Sequence, residues 1–297
     1  MSTPLAQRGT ASLGAPELKR TAAPAPETAA VEQLAPVPTV LIHGVKVAAM
    51  TEVAAVQRII AAAVAECGWW TITANLDHVR RYRREQVARE LIDRADLILA
   101  DGAPLIWASR CAGTRLPERV AGSDLIWSIS AAASERDVSV FLLGGNPGVA
   151  DKAADVLRDH YPDLRVAGTL CPPFGFDEDP DELDRIRGQL ALAAPQIVFV
   201  ALGFPKQDLL IEMLRPVLPH AAFIGVGMSL GFVSGETARA PLWTQERGLE
   251  WLYRLLQEPR RLGKRYLAHG IPFALRLLAS ATRYRLAAPE RGRWGRI

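Results

Sequence analysis

Cysteine is scarce in this 297-residue chain, and what little there is excludes two structural classes. Cys67, Cys111 and Cys171 are scattered and form no Cys-x-x-Cys pair, so they frame neither a disulfide scaffold nor a zinc knuckle. They read as small buried hydrophobes of a protein from a reducing compartment. Histidine is also sparse, and none of the five has the spacing of a metal site. Asp177-Glu178-Asp179 has the look of an Asp-x-Asp metal signature, but it stands between Gly175 and Pro180, where a loop enters a helix. No metal is expected. Long apolar runs are missing too. The longest stretch without Asp, Glu, Lys or Arg, Pro216 to Gly235, is interrupted by glycines and two prolines, so it reads as a core strand with loops. Residues 1–37 are rich in Ala, Pro and Thr and lack the apolar core of a signal peptide; they read as a disordered leader. No glycine loop spells Gly-x-Gly-x-x-Gly or a P-loop, so neither dinucleotide nor ATP chemistry is implied and no cofactor is expected.

What is present is a globular composition, 49% hydrophobic and 23% charged, with charge unevenly placed. From Glu250 to Ile297 eleven Lys and Arg face three Glu, although the whole chain carries only +3. A basic tail on a mildly acidic body suits an anionic partner, a membrane surface or a nucleic acid. The tail is interleaved with Leu267, Ile271, Phe273, Leu275, Leu277 and Leu278, which favours the membrane, and no nucleic acid is expected.

Apolar runs recur at Val37–Val47 (a hairpin around His43-Gly44), Trp69–Thr73, Asp96–Ala100, Val138–Gly144, Leu164–Leu170, Gln196–Gly203 and Ala222–Gly227. Amphipathic segments alternate with them: Glu52–Cys67, His78–Arg94, Pro104–Cys111, Asp124–Glu135, Gly148–His160, Pro180–Ala193 and Gln207–Leu218. Alternation of this kind predicts an α/β fold, a mostly parallel sheet with helices on both faces. Beyond it, Gln245–Glu258 and Arg261–Leu278 read as two helices parted by Pro259. The predicted organisation is a leader (1–37), an α/β core (38–244) and a basic, amphipathic helical appendage (245–297).

Polar residues at the carboxyl ends of strands are where such sheets place ligands. Thr73-Ala-Asn75-Leu-Asp77-His78 follows one strand and Ala100-Asp101-Gly102 the next, which brings Thr73, Asn75 and Asp101 toward one crevice. Three glycine loops follow other strands: Gly144-Gly145-Asn146-Pro147-Gly148, Gly203-Phe204-Pro205-Lys206-Gln207 and Gly225-Val226-Gly227. Glycine lets a backbone approach a ligand, and helix starts favour phosphate, so the three together suit a phosphate-bearing ligand. Lys206 adds positive charge. Plainer roles exist for several of these residues: Asp101 as the cap of the helix at Pro104, Asp77 as the cap of the helix near His78, and the Trp251/Tyr253/Arg254 region as a packed helix with a solvated basic side.

Several blocks then occur in order: Thr73-x-Asn75, Asp101-Gly102, Glu118-Arg119-Val-Ala-Gly122-x-Asp124, Leu143-Gly144-Gly145-x-Pro147-Gly148-Val149, Ala201-Leu-Gly203-x-Pro205-Lys206-Gln207 and Gly248-Leu-Glu250-Trp251-Leu-Tyr253-Arg254-Leu-Leu-x-Glu258-Pro259-x-Arg261. In these blocks the chain resembles the WecG/TagA/CpsF glycosyltransferases over residues 38 to 270. The resemblance implies transfer from a UDP-sugar donor to a polyprenyl-diphosphate-linked sugar acceptor, with inversion and without metal, at the cytoplasmic face of the plasma membrane. It implies Asp101 as general base, Thr73, Asn75 and Arg119 around the reacting sugars, and Gln207 on the donor. Gly144, Gly145, Pro147, Gly203, Lys206 and Gly227 are then expected to hold UDP, and Arg254, Arg261 and Lys264 to meet the acceptor diphosphate and an anionic membrane surface. Gly231 stands where many relatives carry an acid, and the Asn75-x-Asp77-His78 form resembles exopolysaccharide members of the xanthan type. The first counts against an N-acetylmannosamine-type donor, and the second implies transfer of glucose onto a glucosyl carrier lipid. The alternatives are an N-acetylmannosamine or N-acetylmannosaminuronic acid donor, or a regulator that binds UDP-sugar without turnover.

Overall fold

The computed structural model describes residues 34–287 apart from 242, 245, 246 and 258, with the side chains of 261 and 265 also outside the description. Most of the expected leader and the last ten residues therefore lie outside it. A hairpin comes first, β1 (Thr39–Ile42) and β2 (Val45–Ala48). Its two-residue turn puts His43 at φ +47° and Gly44 at φ +100°, the left-handed pair that matches strand twist.

The sheet that follows has six strands: β3 (Trp69–Ala74), β4 (Leu97–Ala100), β5 (Val140–Gly144), β6 (Val166–Leu170), β7 (Ile197–Ala201) and β8 (Ala222–Gly225). Their order is β4-β3-β8-β7-β5-β6 and every pairing is parallel. Between them run α1 (Glu52–Val64), α2 (Leu76–Arg84), α3 (Gln86–Arg94), α4 (Ala103–Ala112), α5 (Gly122–Ser134), α6 (Val149–His160), α7 (Pro180–Ala193), α8 (Lys206–Leu214) and the short α9 (Ser229–Val233). The expected strands are all present. The single helix expected over His78–Arg94 is two, because Glu85 takes an extended conformation (φ −122°, ψ 124°) between α2 and α3.

Alternation along the strands explains the layers. Trp70, Ile72, Phe141, Leu143, Val198 and Phe223 point into one core, closed by Leu91 of α3, Leu105 of α4, Ile186 of α7 and Leu210 of α8. Leu97, Leu99, Val140, Leu142, Phe199 and Ile224 point into the other, closed by Ile59 of α1, Leu125 of α5 and Leu157 of α6. Each such fully buried aliphatic or Phe side chain contributes about 1.5–3 kcal/mol. From β3 the chain moves outward to β4, and from β5 outward to β6. The connection reverses between them, and the crevice at that reversal lies at the carboxyl ends of the strands.

The C-terminal part is helical: α10 (Glu250–Gln257), α11 (Pro259–Gly263), a π-helical stretch (Lys264–Gly270) and α12 (Ile271–Ala287). The last helix runs past the expected end at Leu278. Phe273, Leu277 and Ala281 of α12 are buried and join the first core, where α12 packs along α4. In contrast, α10 buries no residue. Among the described residues no helix is long and apolar enough to cross a membrane.

Candidate active site

Thr73 closes the end of β3. Its hydroxyl donates to the Gly225 carbonyl at 2.8 Å, tying β3 to β8 beneath the crevice. The start of α5 presses on this knot: a Cβ at Gly122 would lie 3.2 Å from Thr73 Oγ1 and 3.1 Å from Val226 Cα, so only glycine fits without a shift. Asn75 begins α2, where its Oδ1 accepts from the Asp77 amide at 2.9 Å and the His78 amide at 3.4 Å. Asn75, not Asp77, is thus the cap, and Asp77 pairs with Arg80 at 2.7 Å. His78 is buried, and desolvation pushes it down to about 4, so the ring is neutral.

Asp101 ends β4, its amide held by the Ala74 carbonyl at 2.8 Å. It does not cap α4, since Gly102 takes that position and no side chain bonds there. The Asp101 side chain keeps 30% of its surface open, enough for a substrate to reach. Burial pushes its carboxyl up to about 6; the Arg119 charge opposes this, while Glu250 and Asp124 add to it.

Arg119 is the hub of the charges. Its Nη1 lies 3.1 Å from Glu250 Oε2 and 3.9 Å from Asp101 Oδ1, and its Nη2 is 3.4 Å from Asp124. Arg239 pairs with the other Asp124 oxygen. Two cations are therefore shared among three carboxylates. Sequence reasoning singled out Asp101 and Arg119 but missed Glu250, Asp124 and Arg239 as members. Glu250 and Asp124 stand inside the motifs that carried the resemblance; Arg239 has no local signal, because its partner is 115 residues away.

The glycine loops meet on the same sheet edge. Gly144 (φ +115°) needs its missing side chain, since a Cβ there would come 2.5 Å from the Ala201 carbonyl. At Gly148, Gly203 and Gly227 a Cβ would meet nothing within 4 Å, so these turns border open space. The amides of Gly145, Gly203 and Gly227 already have acceptors inside the protein, and at the start of α8 the Gln207, Asp208 and Leu209 amides donate to the Gly203 and Pro205 carbonyls, so the loops offer a ligand their shape and the start of α6, where no side chain caps the helix. Gln207, expected on the donor, is buried. Its Oε1 accepts from Gly203 at 3.1 Å and Gly227 at 3.2 Å, making it a strut between two loops.

Lys206 directs its ammonium to Asp177 at 2.7 Å, over the Phe176 ring, and that pair shares its charge. Asp179 caps α7. Pro147 lines a small cavity of about 210 Å³ with Gly148, Lys152 and Glu236. From the C-terminal helices, Arg254 reaches Met228 Sδ at 3.0 Å, against the loop after β8. Lys264 is exposed on the π-helical stretch, and the Arg261 side chain lies outside the described residues. The structure thus unites Thr73, Asn75, Asp101, Arg119 and Arg254 around the crevice, and leaves Lys264 apart.

Residues 40–287 match the family described as Glycosyl transferase WecG/TagA/CpsF family. The chain is 34% identical over 172 residues to the N-acetylglucosaminyldiphosphoundecaprenol N-acetyl-beta-D-mannosaminyltransferase of Bacillus subtilis (strain 168), covering 58% of this chain and 65% of that one. The protein of the same name from Bacillus spizizenii is 31% identical over 194 residues, covering 65% of this chain and 73% of the relative. The matched segment thus falls just short of two thirds of the length of the B. subtilis relative. With its motifs on one sheet edge and the match spanning nearly the whole described chain, the protein belongs to the WecG/TagA/CpsF family of glycosyl transferases.

Proposed function

We propose that this chain moves an N-acetylmannosamine-type sugar from a UDP-sugar to a polyprenyl-diphosphate-linked N-acetylglucosamine, with inversion and without a cofactor or metal. Glucose gives way to this alternative because both relatives are named for N-acetylmannosaminyl transfer. The absent acid at Gly231 is not a strong counter-argument: Glu236 Oε2 lies 3.5 Å from where a Cβ at Gly231 would begin, so a carboxylate stands in that space.

The observation that carries the reading is Asp101, a partly open carboxylate at a strand end with its proton affinity raised by burial. As general base it takes the proton of the acceptor hydroxyl. The hydroxyl oxygen bonds to the anomeric carbon as the bond from that carbon to the diphosphate oxygen breaks, and UDP leaves with the electron pair. Attack opposite the leaving group inverts the centre. Arg119, Arg254 and the start of α6 balance the charge that develops on the diphosphate.

The acceptor is lipid-linked, and the C-terminal helices suit a membrane surface. Leu252, Leu256, Leu267, Ile271 and Leu275 are exposed, and Arg260, Lys264 and Arg276 are exposed beside them. The proposed place of action is the cytoplasmic face of the plasma membrane. UDP release with a panel of UDP-sugars and a short-chain prenyl-diphosphate-N-acetylglucosamine acceptor, with EDTA present, tests the reading. Turnover with one donor, reduced about a hundredfold or more in Asp101→Asn, is expected. UDP binding with no turnover from any donor supports the regulator instead.

A further inference from the structure

A groove of about 580 Å³ opens away from the crevice, between the β1–β2 turn, the far end of α2 and the last turns of α12. Among the described residues His43, Gly44, Arg83, Ser280, Arg283 and Tyr284 line it, and no carboxylate does. Among the described residues Arg83 and Arg283 have neither an ion pair nor a hydrogen bond. Other arginines of this protein, such as Arg80, Arg81 and Arg119, are paired with carboxylates.

His43 is held firmly in the groove wall. Its ring meets Phe273 edge-on at 5.7 Å, and its Nε2 lies 2.6 Å from Ser280 Oγ. The Ser280 hydroxyl donates to the Leu277 carbonyl at 2.8 Å, so it accepts from His43 Nε2–H. That assigns the neutral ring its proton and leaves Nδ1 as a buried lone pair with no partner. Desolvation, with the Arg83 charge behind it, keeps the ring neutral. An anion in the groove offsets the Arg83 charge, one of the two causes that disfavour the protonated ring.

We propose that this groove binds a phosphate-type anion, a phosphate monoester or a diphosphate, between Arg83 of the core and Arg283 of the last helix. Two planar guanidinium forks suit an anion with several oxygens better than a single-point anion such as chloride. The location gives the site a consequence. Arg83 lies about 12 Å along α2 from the Asn75 end, at 1.5 Å per residue, and α12 packs on the helix that follows Asp101. An anion held by both arginines fastens the C-terminal helix to the core and stabilises the docked form by mass action. The phosphate comes either from solution or from a lipid headgroup.

The test uses the full chain and four variants: Arg83→Gln, Arg283→Gln, the pair together, and Arg119→Gln as a control at the crevice. Calorimetric titration with inorganic phosphate and with pyrophosphate is the first arm. Sedimentation with phosphatidylcholine vesicles, with and without phosphatidic acid, is the second. Binding that weakens about tenfold in the double Gln variant and persists in Arg119→Gln supports the site; circular dichroism checks that each variant folds. If the loss appears in the soluble arm alone, the ligand is free phosphate. Loss in the phosphatidic acid arm assigns a lipid headgroup. Binding equal in wild type and double variant, binding lost only in Arg119→Gln, or no anion binding in either arm overturns the proposal.

Discussion

The sheet and the C-terminal helices contribute to the crevice by opposite means. Strand ends hold Thr73 and Asp101 through the ladder itself: Asp101 is tied to β3 by a main-chain bond and Thr73 to β8 by its hydroxyl. The cores on both faces make those positions rigid. By contrast α10 buries nothing, and it meets the crevice through two polar side chains, Glu250 on Arg119 and Arg254 on Met228. Its attachment rests on α12, whose Phe273, Leu277 and Ala281 enter the core. The proposed base is thus built by the fold, and the charges around it are completed by helices that dock. That division suits the proposed lipid-linked acceptor, which would reach the proposed base from a membrane surface.

The comparison breaks most clearly at Asp101. Removing the proposed base by Asp101→Asn is expected to cut turnover about a hundredfold or more while leaving the rest of the crevice intact, and full turnover in that variant ends the account. Asp208 sharpens the core side. It is fully buried in the first turn of α8, beside Gln207 and Trp70, and burial pushes it up to about 7. Its raised affinity favours the folded state at acid pH, and that advantage is lost as pH rises from the unfolded value of 3.8 through about 7. Asp208→Asn is therefore expected to stabilise the protein by up to about 4 kcal/mol at pH 8 and by little below pH 4, measured by urea unfolding. Equal stability of the two proteins at pH 8 contradicts this. On the docking side, Leu277→Ala empties a fully buried position, with an expected cost of about 2–4 kcal/mol. Turnover is expected to fall with UDP binding retained, read by parallel titration and UDP release. Unchanged turnover in a variant shown to be destabilised removes the helices from the reaction.

The strands were legible because each is a short apolar run ended by a glycine or a polar turn, such as Val140–Gly144. Their pairing order was not legible in detail, since β8 enters between β3 and β7 from far along the chain. The break at Glu85 was missed because charged residues continue on both sides with helical spacing. Asp101 and Arg119 were found through motifs. Glu250, Arg239 and Glu236 gained their places through contacts across long chain separations, which no local pattern encodes. Gln207 was read as a ligand contact from its motif; the structure shows its buried side chain tying two of the loops together. Membership in a motif marked the residue and left its role to geometry.

The most direct measurement is the pH dependence of kcat/KM, which reports the free enzyme, in the wild type and in Glu250→Gln. If Asp101 is the base, the wild-type rate falls as pH drops through about 6, where the carboxylate takes up its proton. Glu250 raises that value and shares Arg119 Nη1 with Asp101. Removing its charge gives Asp101 more of the guanidinium, so the limb moves to lower pH. A limb near 6 that shifts acidward in Glu250→Gln is the predicted result. A rate that is flat across pH 5 to 7, or a limb unmoved by the substitution, contradicts the claim that core and docked helix set the base together.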